Sequence, residues 1–119
     1  MTSGAISGAD GATVARSSAP LALTMGDASG VGPEIVLRRW ADEGLGDDVV
    51  VYGDASILRA GARLLGLDID WSCFPLRDLG LLSESDHHPG ALDSASGAAA
   101  REYVRQATLD ALAGDVAGI

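Results

Sequence analysis

The chain has 119 residues, a formal net charge of −9, 47% hydrophobic and 21% charged residues, which suits one globular domain with a core built from Ala, Leu and Val rather than aromatics. Its basic residues are all Arg, so an amine base or Schiff-base lysine is excluded within the chain, and the acidic balance argues against a nucleic-acid or anionic-membrane surface. The single Cys73 excludes an internal disulfide and suits a reducing cytoplasm, and no apolar run approaches the roughly 18 residues of a membrane span.

Residues 1–20 are mostly Ser, Gly, Ala and Thr, with almost nothing large enough to bury, and read as a disordered leader. Leu21-Ala22-Leu23 is then a short strand, followed by the glycine-rich stretch Thr24 to Pro33 and a helix through Ile35, Val36, Leu37 and Trp40. The glycines at 26, 30 and 32 run G-x-x-x-G-x-G, which is neither the dinucleotide fingerprint nor the phosphate loop, since no Lys follows. Glycine here suits either a tight strand-to-helix turn or close approach of a ligand. Pro33 fits the first helical position, and the N–H groups of a helix start favour an anion.

Gly44 and Gly46 end that helix, and Val49-Val50-Val51-Tyr52 reads as a second, parallel strand buried on both faces. Asp54 is placed to cap a helix from Ala55 to Leu65, with Gly66 as its stop. Leu67 to Phe74 alternates apolar and polar residues and predicts a third strand near an edge, in which Cys73 is a small buried hydrophobe. A loop from Pro75 to about Asp93 carries the only histidines, His87 and His88. Adjacent residues project in different directions, so the pair reads as part of a solvated polar loop rather than a metal site, even with Glu84 and Asp86 nearby. The last helix runs from Ser94 or Ser96 to Ala113, with Ala100, Tyr103, Val104, Ala107 and Ala111 on one face and Gly114 as its stop. Asp115 to Ile119 would begin another strand.

The stretch Leu21-Ala22-Leu23-Thr24-Met25-Gly26-Asp27-Ala28-Ser29-Gly30-Val31-Gly32-Pro33-Glu34-Ile35 resembles the opening of the 4-hydroxythreonine-4-phosphate dehydrogenase family, whose usual form is T-M-G-D-P-A-G-I-G-P-E-I. Ala28 stands for the usual Pro and Ser29 for the usual Ala. Gly53-Asp54, Leu64-Leu65-Gly66 and Ser96-Gly97 also look like that family. Isocitrate and isopropylmalate dehydrogenases carry a shorter G-D-G-I-G-P-E, so the spacing here favours the first family. The resemblance covers residues 21–119 and corresponds to the N-terminal third of such an enzyme.

It implies an isocitrate/isopropylmalate dehydrogenase-like α/β/α fold with a mostly parallel sheet. The implied activity is NAD-dependent oxidation of a phosphorylated hydroxy amino acid and then decarboxylation, assisted by a divalent metal, in a cytoplasmic homodimer serving pyridoxal phosphate synthesis. Gly26, Asp27, Gly30 and Gly32 would line the cleft near the nicotinamide end of the cofactor. The family's metal-binding histidines, its Gly-His-Thr segment and its catalytic Lys have no counterpart here, so no catalytic residue and no metal ligand is assigned, and the chain alone is expected to be inactive. Glu34 would support the helix start through the macrodipole. Competing readings are a portion of a related four-carbon sugar acid phosphate dehydrogenase, a non-catalytic interaction module, or a degraded reading frame.

Overall fold

A computed structural model describes residues 18–119. In chain order the elements are β1 (Leu21–Thr24), α1 (Gly32–Glu43), β2 (Val49–Gly53), α2 (Ala55–Leu65), β3 (Leu76–Asp78), a short 3-10 turn (Glu84–Asp86) and α3 (Ser94–Ala113). The strands form one parallel sheet in the order β1-β2-β3, with Leu21 opposite Val49 and Val51 opposite Leu76. This is the expected α/β fold.

Connectivity sets the layers. Two successive crossovers, β1-α1-β2 and β2-α2-β3, advance in the same direction across the sheet, so the right-handed rule for parallel connections puts α1 and α2 on one face, where they pack on each other. Helix α3 then carries the chain back across the sheet. Gly118 pairs in parallel with Leu21 at the outer edge of β1, where the Ala22 N–H donates to the Gly118 carbonyl at 2.9 Å. The strand expected after α3 therefore begins beside β1. Because the direction of travel has reversed, α3 covers the opposite face, in contact with β1 and β2.

The largest buried side chains include Tyr52, Tyr103, Met25, Leu37, Ile57 and Leu58. Helices α1 and α2 meet closely at Gly61, where an added Cβ would stand 3.1 Å from Leu37 Cδ1. Trp40 packs edge-on against Phe74, with ring centroids 5.2 Å apart, and Trp71 lies against the same ring.

Three expectations are corrected. Residues Leu67 to Phe74 form turns rather than a strand: the Asp70 carboxylate accepts from the Ser72 N–H (3.1 Å) and hydroxyl (2.6 Å), and the Cys73 N–H closes back on the Asp70 carbonyl. The third strand comes just after, inside the stretch read as loop. Cys73 is exposed, with its thiol donating to Asp70 Oδ2 at 3.5 Å. Helix α3 buries Ser96, Ala99, Tyr103 and Ala107, whereas Val104 is 49% exposed, so its inner face is turned from the expected one. Of the expected leader, residues 1–17 lie outside the described residues, and the Pro20 carbonyl accepts from the Ala117 N–H at 2.8 Å.

Candidate functional site

In an open parallel sheet the crevice for ligands lies beyond the carboxyl ends of the strands, where neighbouring strands send their chains to opposite faces. Here β1 leads to α1 on one face and its outer neighbour at Gly118 follows α3 on the other. The switch point is the end of β1. That is where the glycine loop sits.

Each part of the loop has an identifiable constraint. The Met25 N–H donates to the Tyr52 carbonyl at 3.0 Å, extending the ladder past β1, and the Met25 side chain is buried. Gly26 has φ +75°, the left-handed region that favours glycine. Gly32 opens α1, and a Cβ there would lie 2.0 Å from the Met25 carbonyl oxygen. The close approach that Gly32 permits is thus to the protein's own backbone. Gly30 has neither constraint: its φ is not positive, and a Cβ would be 3.4 Å from the Asp27 carbonyl oxygen.

Asp27 is exposed, and its Oδ1 accepts from the Ser29 N–H at 2.8 Å while its carbonyl accepts from the Gly30 N–H at 3.0 Å. Ser29, buried, donates from its hydroxyl to Ser96 Oγ on α3 at 3.3 Å, and its carbonyl accepts from the Gly90 N–H at 2.7 Å. The loop is held from beneath by α3 and from the side by the segment following the 3-10 turn. Nothing local in the sequence marks Ser29 and Ser96 as partners, since they are 67 positions apart. Glu34, in the first turn of α1, pairs with Arg38 at 2.8 Å on the exposed surface.

His87 borders a crevice of about 60 Å³ with Ala28, Gly30, Pro33, Glu34 and Leu64, while His88 Nδ1 stands 3.5 Å from Asp93 Oδ2. The two histidines are not drawn together with the acids near them: Glu84 pairs with Arg63 at 2.5 Å, and Asp86 Oδ2 accepts from the Ser83 N–H at 2.9 Å. Among the described residues no group of three or more His, Cys, Asp or Glu is placed to hold a metal ion.

Every strand ends near an aspartate that shapes a turn. Asp27 does so after β1. Asp78, the last residue of β3, accepts from the Ala55 N–H (3.2 Å) and the Gly80 N–H (3.0 Å), supplying the cap of α2 that Asp54 was expected to provide. Asp54 occupies the capping position but makes no side-chain cap bond. It is fully buried and reaches across instead: Oδ1 accepts from the Leu81 N–H (2.6 Å) and the Leu82 N–H (3.2 Å), and Oδ2 accepts from the Tyr103 hydroxyl of α3. Burial, then the bond to Asp54, pushes the Tyr103 phenol well above its ordinary range.

A second Tyr–Asp pair ties the same strand to the same helix. The Tyr52 hydroxyl donates to Asp110 Oδ2 at 2.5 Å, and Arg77 (3.2 Å) and Gln106 (2.9 Å) donate to the same carboxylate. Burial, then Asp110, pushes the Tyr52 phenol up to about 12, while the Tyr52 hydrogen bond holds the Asp110 carboxyl below its ordinary value. Strand and helix run in opposite senses, so Tyr52 and Asp54 on one meet Asp110 and Tyr103 on the other.

No family model matches the chain. A 4-hydroxythreonine-4-phosphate dehydrogenase of Hydrogenobaculum sp. (strain Y04AAS1) is 33% identical over 103 residues, covering 82% of this chain and 33% of that protein. The crystal structure of the Klebsiella pneumoniae 4-hydroxythreonine-4-phosphate dehydrogenase superposes with a TM-score of 0.71 at 32% identity, covering 83% of this chain and 35% of that one. In sequence and in fold the chain is similar to part of the 4-hydroxythreonine-4-phosphate dehydrogenases. A protein of Oceanobacillus iheyensis provisionally named D-threonate 4-phosphate dehydrogenase is 32% identical over 103 residues, covering 73% of this chain and 31% of that protein. The chain spans about a third of the length of the curated relatives it matches.

This likeness to the 4-hydroxythreonine-4-phosphate dehydrogenases agrees with the geometry at the switch point, where the glycine loop presents an open edge. The crevice of about 60 Å³ beside it falls far short of the roughly 300–1,000 Å³ of an enclosed ligand pocket. Gly26 and Asp27 are accessible at that edge, and Gly32 is engaged with Met25.

Proposed function

We propose that this chain forms the glycine-loop portion of an NAD-dependent dehydrogenase that oxidises a phosphorylated hydroxy acid and then decarboxylates it. The observation that supports this reading is the position of the family-like loop at the topological switch point of a parallel sheet. 4-Hydroxythreonine 4-phosphate, oxidised on the way to pyridoxal phosphate, is the substrate we favour, because a relative with that name is matched over the larger share of the chain. A four-carbon sugar acid phosphate is the second reading, favoured by the name of the Oceanobacillus relative.

Gly26 and Asp27 would face the nicotinamide end of the cofactor, with Gly30 beside them and Gly32 keeping α1 seated against Met25. NAD, when bound, supplies the hydride acceptor. The part of this chain is to offer an unhindered backbone at Gly26, to place the Asp27 carboxylate at the edge, and to hold both still through Ser29 and Ser96. The described residues do not suit the divalent metal that the family resemblance implies, because no set of ligands converges. No step is therefore assigned to a metal here. With no Lys in its sequence, the 119-residue chain is inactive by itself in this account, and its working form is a cytoplasmic homodimer of the whole enzyme.

The test is NADH formation by the purified 119-residue chain with added divalent metal, using 4-hydroxythreonine 4-phosphate and D-threonate 4-phosphate in parallel, beside the Hydrogenobaculum relative. Turnover by the relative alone supports the reading. Turnover by the chain itself would return the chemistry to Asp27, His87 and His88.

A further inference from the structure

Asp54 is an unusual residue to find completely buried, since a carboxylate removed from water is tolerated only when its oxygens are well supplied with donors. Here the donors come from two separate parts of the chain. Oδ1 takes the N–H groups of Leu81 and Leu82, and Oδ2 takes the hydroxyl of Tyr103. The turn that supplies the amides is clasped from other directions as well: the Leu79 N–H donates to the Gly53 carbonyl at 2.9 Å, and Ser56 Oγ donates to the Leu82 carbonyl at 2.6 Å. Tyr103 and Ser96 share the buried face of α3, and Ser96 receives the hydroxyl of Ser29 from the glycine loop.

We infer that Asp54 is a positioning residue, a buried hub that sets the 79–82 turn and the amino-terminal half of α3, and through Ser96 the glycine loop, in one mutual arrangement at the carboxyl edge of the sheet. A carboxylate accepts at both oxygens, so it can serve two backbone amides and a phenol at once. An Asn at this position can keep its oxygen on the Leu81 and Leu82 amides and donate its NH₂ to the Tyr103 hydroxyl, so it reverses one bond without cutting the hub. Asp54→Ala removes both accepting oxygens and with them all three bonds. A Tyr103→Phe chain keeps the ring packing and loses only the bond that connects Asp54 to α3. The first substitution therefore empties the hub, and the second cuts only its link to the helix. This inference deepens the proposed reading by naming what holds the edge in place, and it rests on that reading only for the use to which the edge is put.

The experiment is backbone amide hydrogen exchange by NMR on the ligand-free 119-residue chain, comparing it with Asp54→Ala and Tyr103→Phe variants. No cofactor or turnover is involved, so failure here is separate from failure of the dehydrogenase assay. For Asp54→Ala we expect exchange at Leu81 and Leu82 to speed up at least tenfold while Val51 in β2 and Ala107 in α3 stay within twofold. For Tyr103→Phe we expect shifted resonances and faster exchange at Ser29 and Gly30, with Val51 again unchanged. Uniform acceleration at every site would make Asp54 a contributor to global stability only, and would overturn the inference. Unchanged Ser29 and Gly30 in the Tyr103→Phe chain would also overturn it, by showing that the glycine loop does not depend on the hub. If Asp54→Ala fails to fold, the Tyr103→Phe chain decides alone by the same criterion.

Discussion

The carbonyl oxygen of Met25 occupies the space in which any side chain at position 32 would have to start: a Cβ on Gly32 would stand 2.0 Å from it. This contact joins the end of β1 to the first residue of α1, and it explains one glycine of the loop without reference to a ligand.

Gly32→Ala should therefore destabilise the chain by about 3 kcal/mol or more, since the clash is with backbone that cannot move aside. Gly30→Ala should change stability by less than about 1 kcal/mol, because its backbone conformation is open to other residues. Urea denaturation of the two variants separates the cases. Equal effects would refute the assignment of different constraints.

Gly53 meets the same methionine from the other side, with an added Cβ 2.6 Å from Met25 Sδ. The obstacle is a flexible side chain, so Gly53→Ala should cost about 1–3 kcal/mol. Combined with Met25→Ala, it should cost less than it does alone. A coupling of about 0.5 kcal/mol or more in a double-mutant cycle is the expected result.

Alkaline stability should depend on Tyr52. Its phenol is raised from 10.0 to about 12 in the folded chain, so the group binds a proton more tightly folded than unfolded. The contribution is intact below pH 10 and lost as pH climbs toward 12. Asp110 works in the opposite sense: its depressed carboxyl contributes above the ordinary carboxylate value and is lost on acidification through the lower folded value. Tyr52→Phe should flatten the fall of the urea midpoint across the alkaline window. An unchanged slope would show that the Tyr52–Asp110 bond carries none of this dependence.

Much of this fold is legible in local sequence. The β-branched run at Val49–Val51, Gly66 and Gly114 as helix stops, and the glycine loop all act over a few residues, and the structure places those elements as expected. Leu67 to Phe74 misleads because Asp70 and Ser72 fall on alternate positions of a strand pattern while their side chains close a turn. Strand β3 is hidden because it is three residues long, with Arg77 and Asp78 exposed at the sheet edge. The inner face of α3 is ambiguous because small residues surround the helix and the polar Ser96 lies on the buried side while Val104 lies outside. Asp54 reads as a cap because caps are recognised locally, whereas its partners are 27, 28 and 49 positions away.

The most direct test of the central claim is an exchange of parts, in which residues 21–119 of this chain replace the matching third of the Hydrogenobaculum relative and the folded chimera is assayed for NADH formation from 4-hydroxythreonine 4-phosphate. The account predicts activity in the chimera and its loss on Asp27→Asn, while the 119-residue chain alone forms no NADH. A folded chimera without activity, or one indifferent to Asp27, would contradict it.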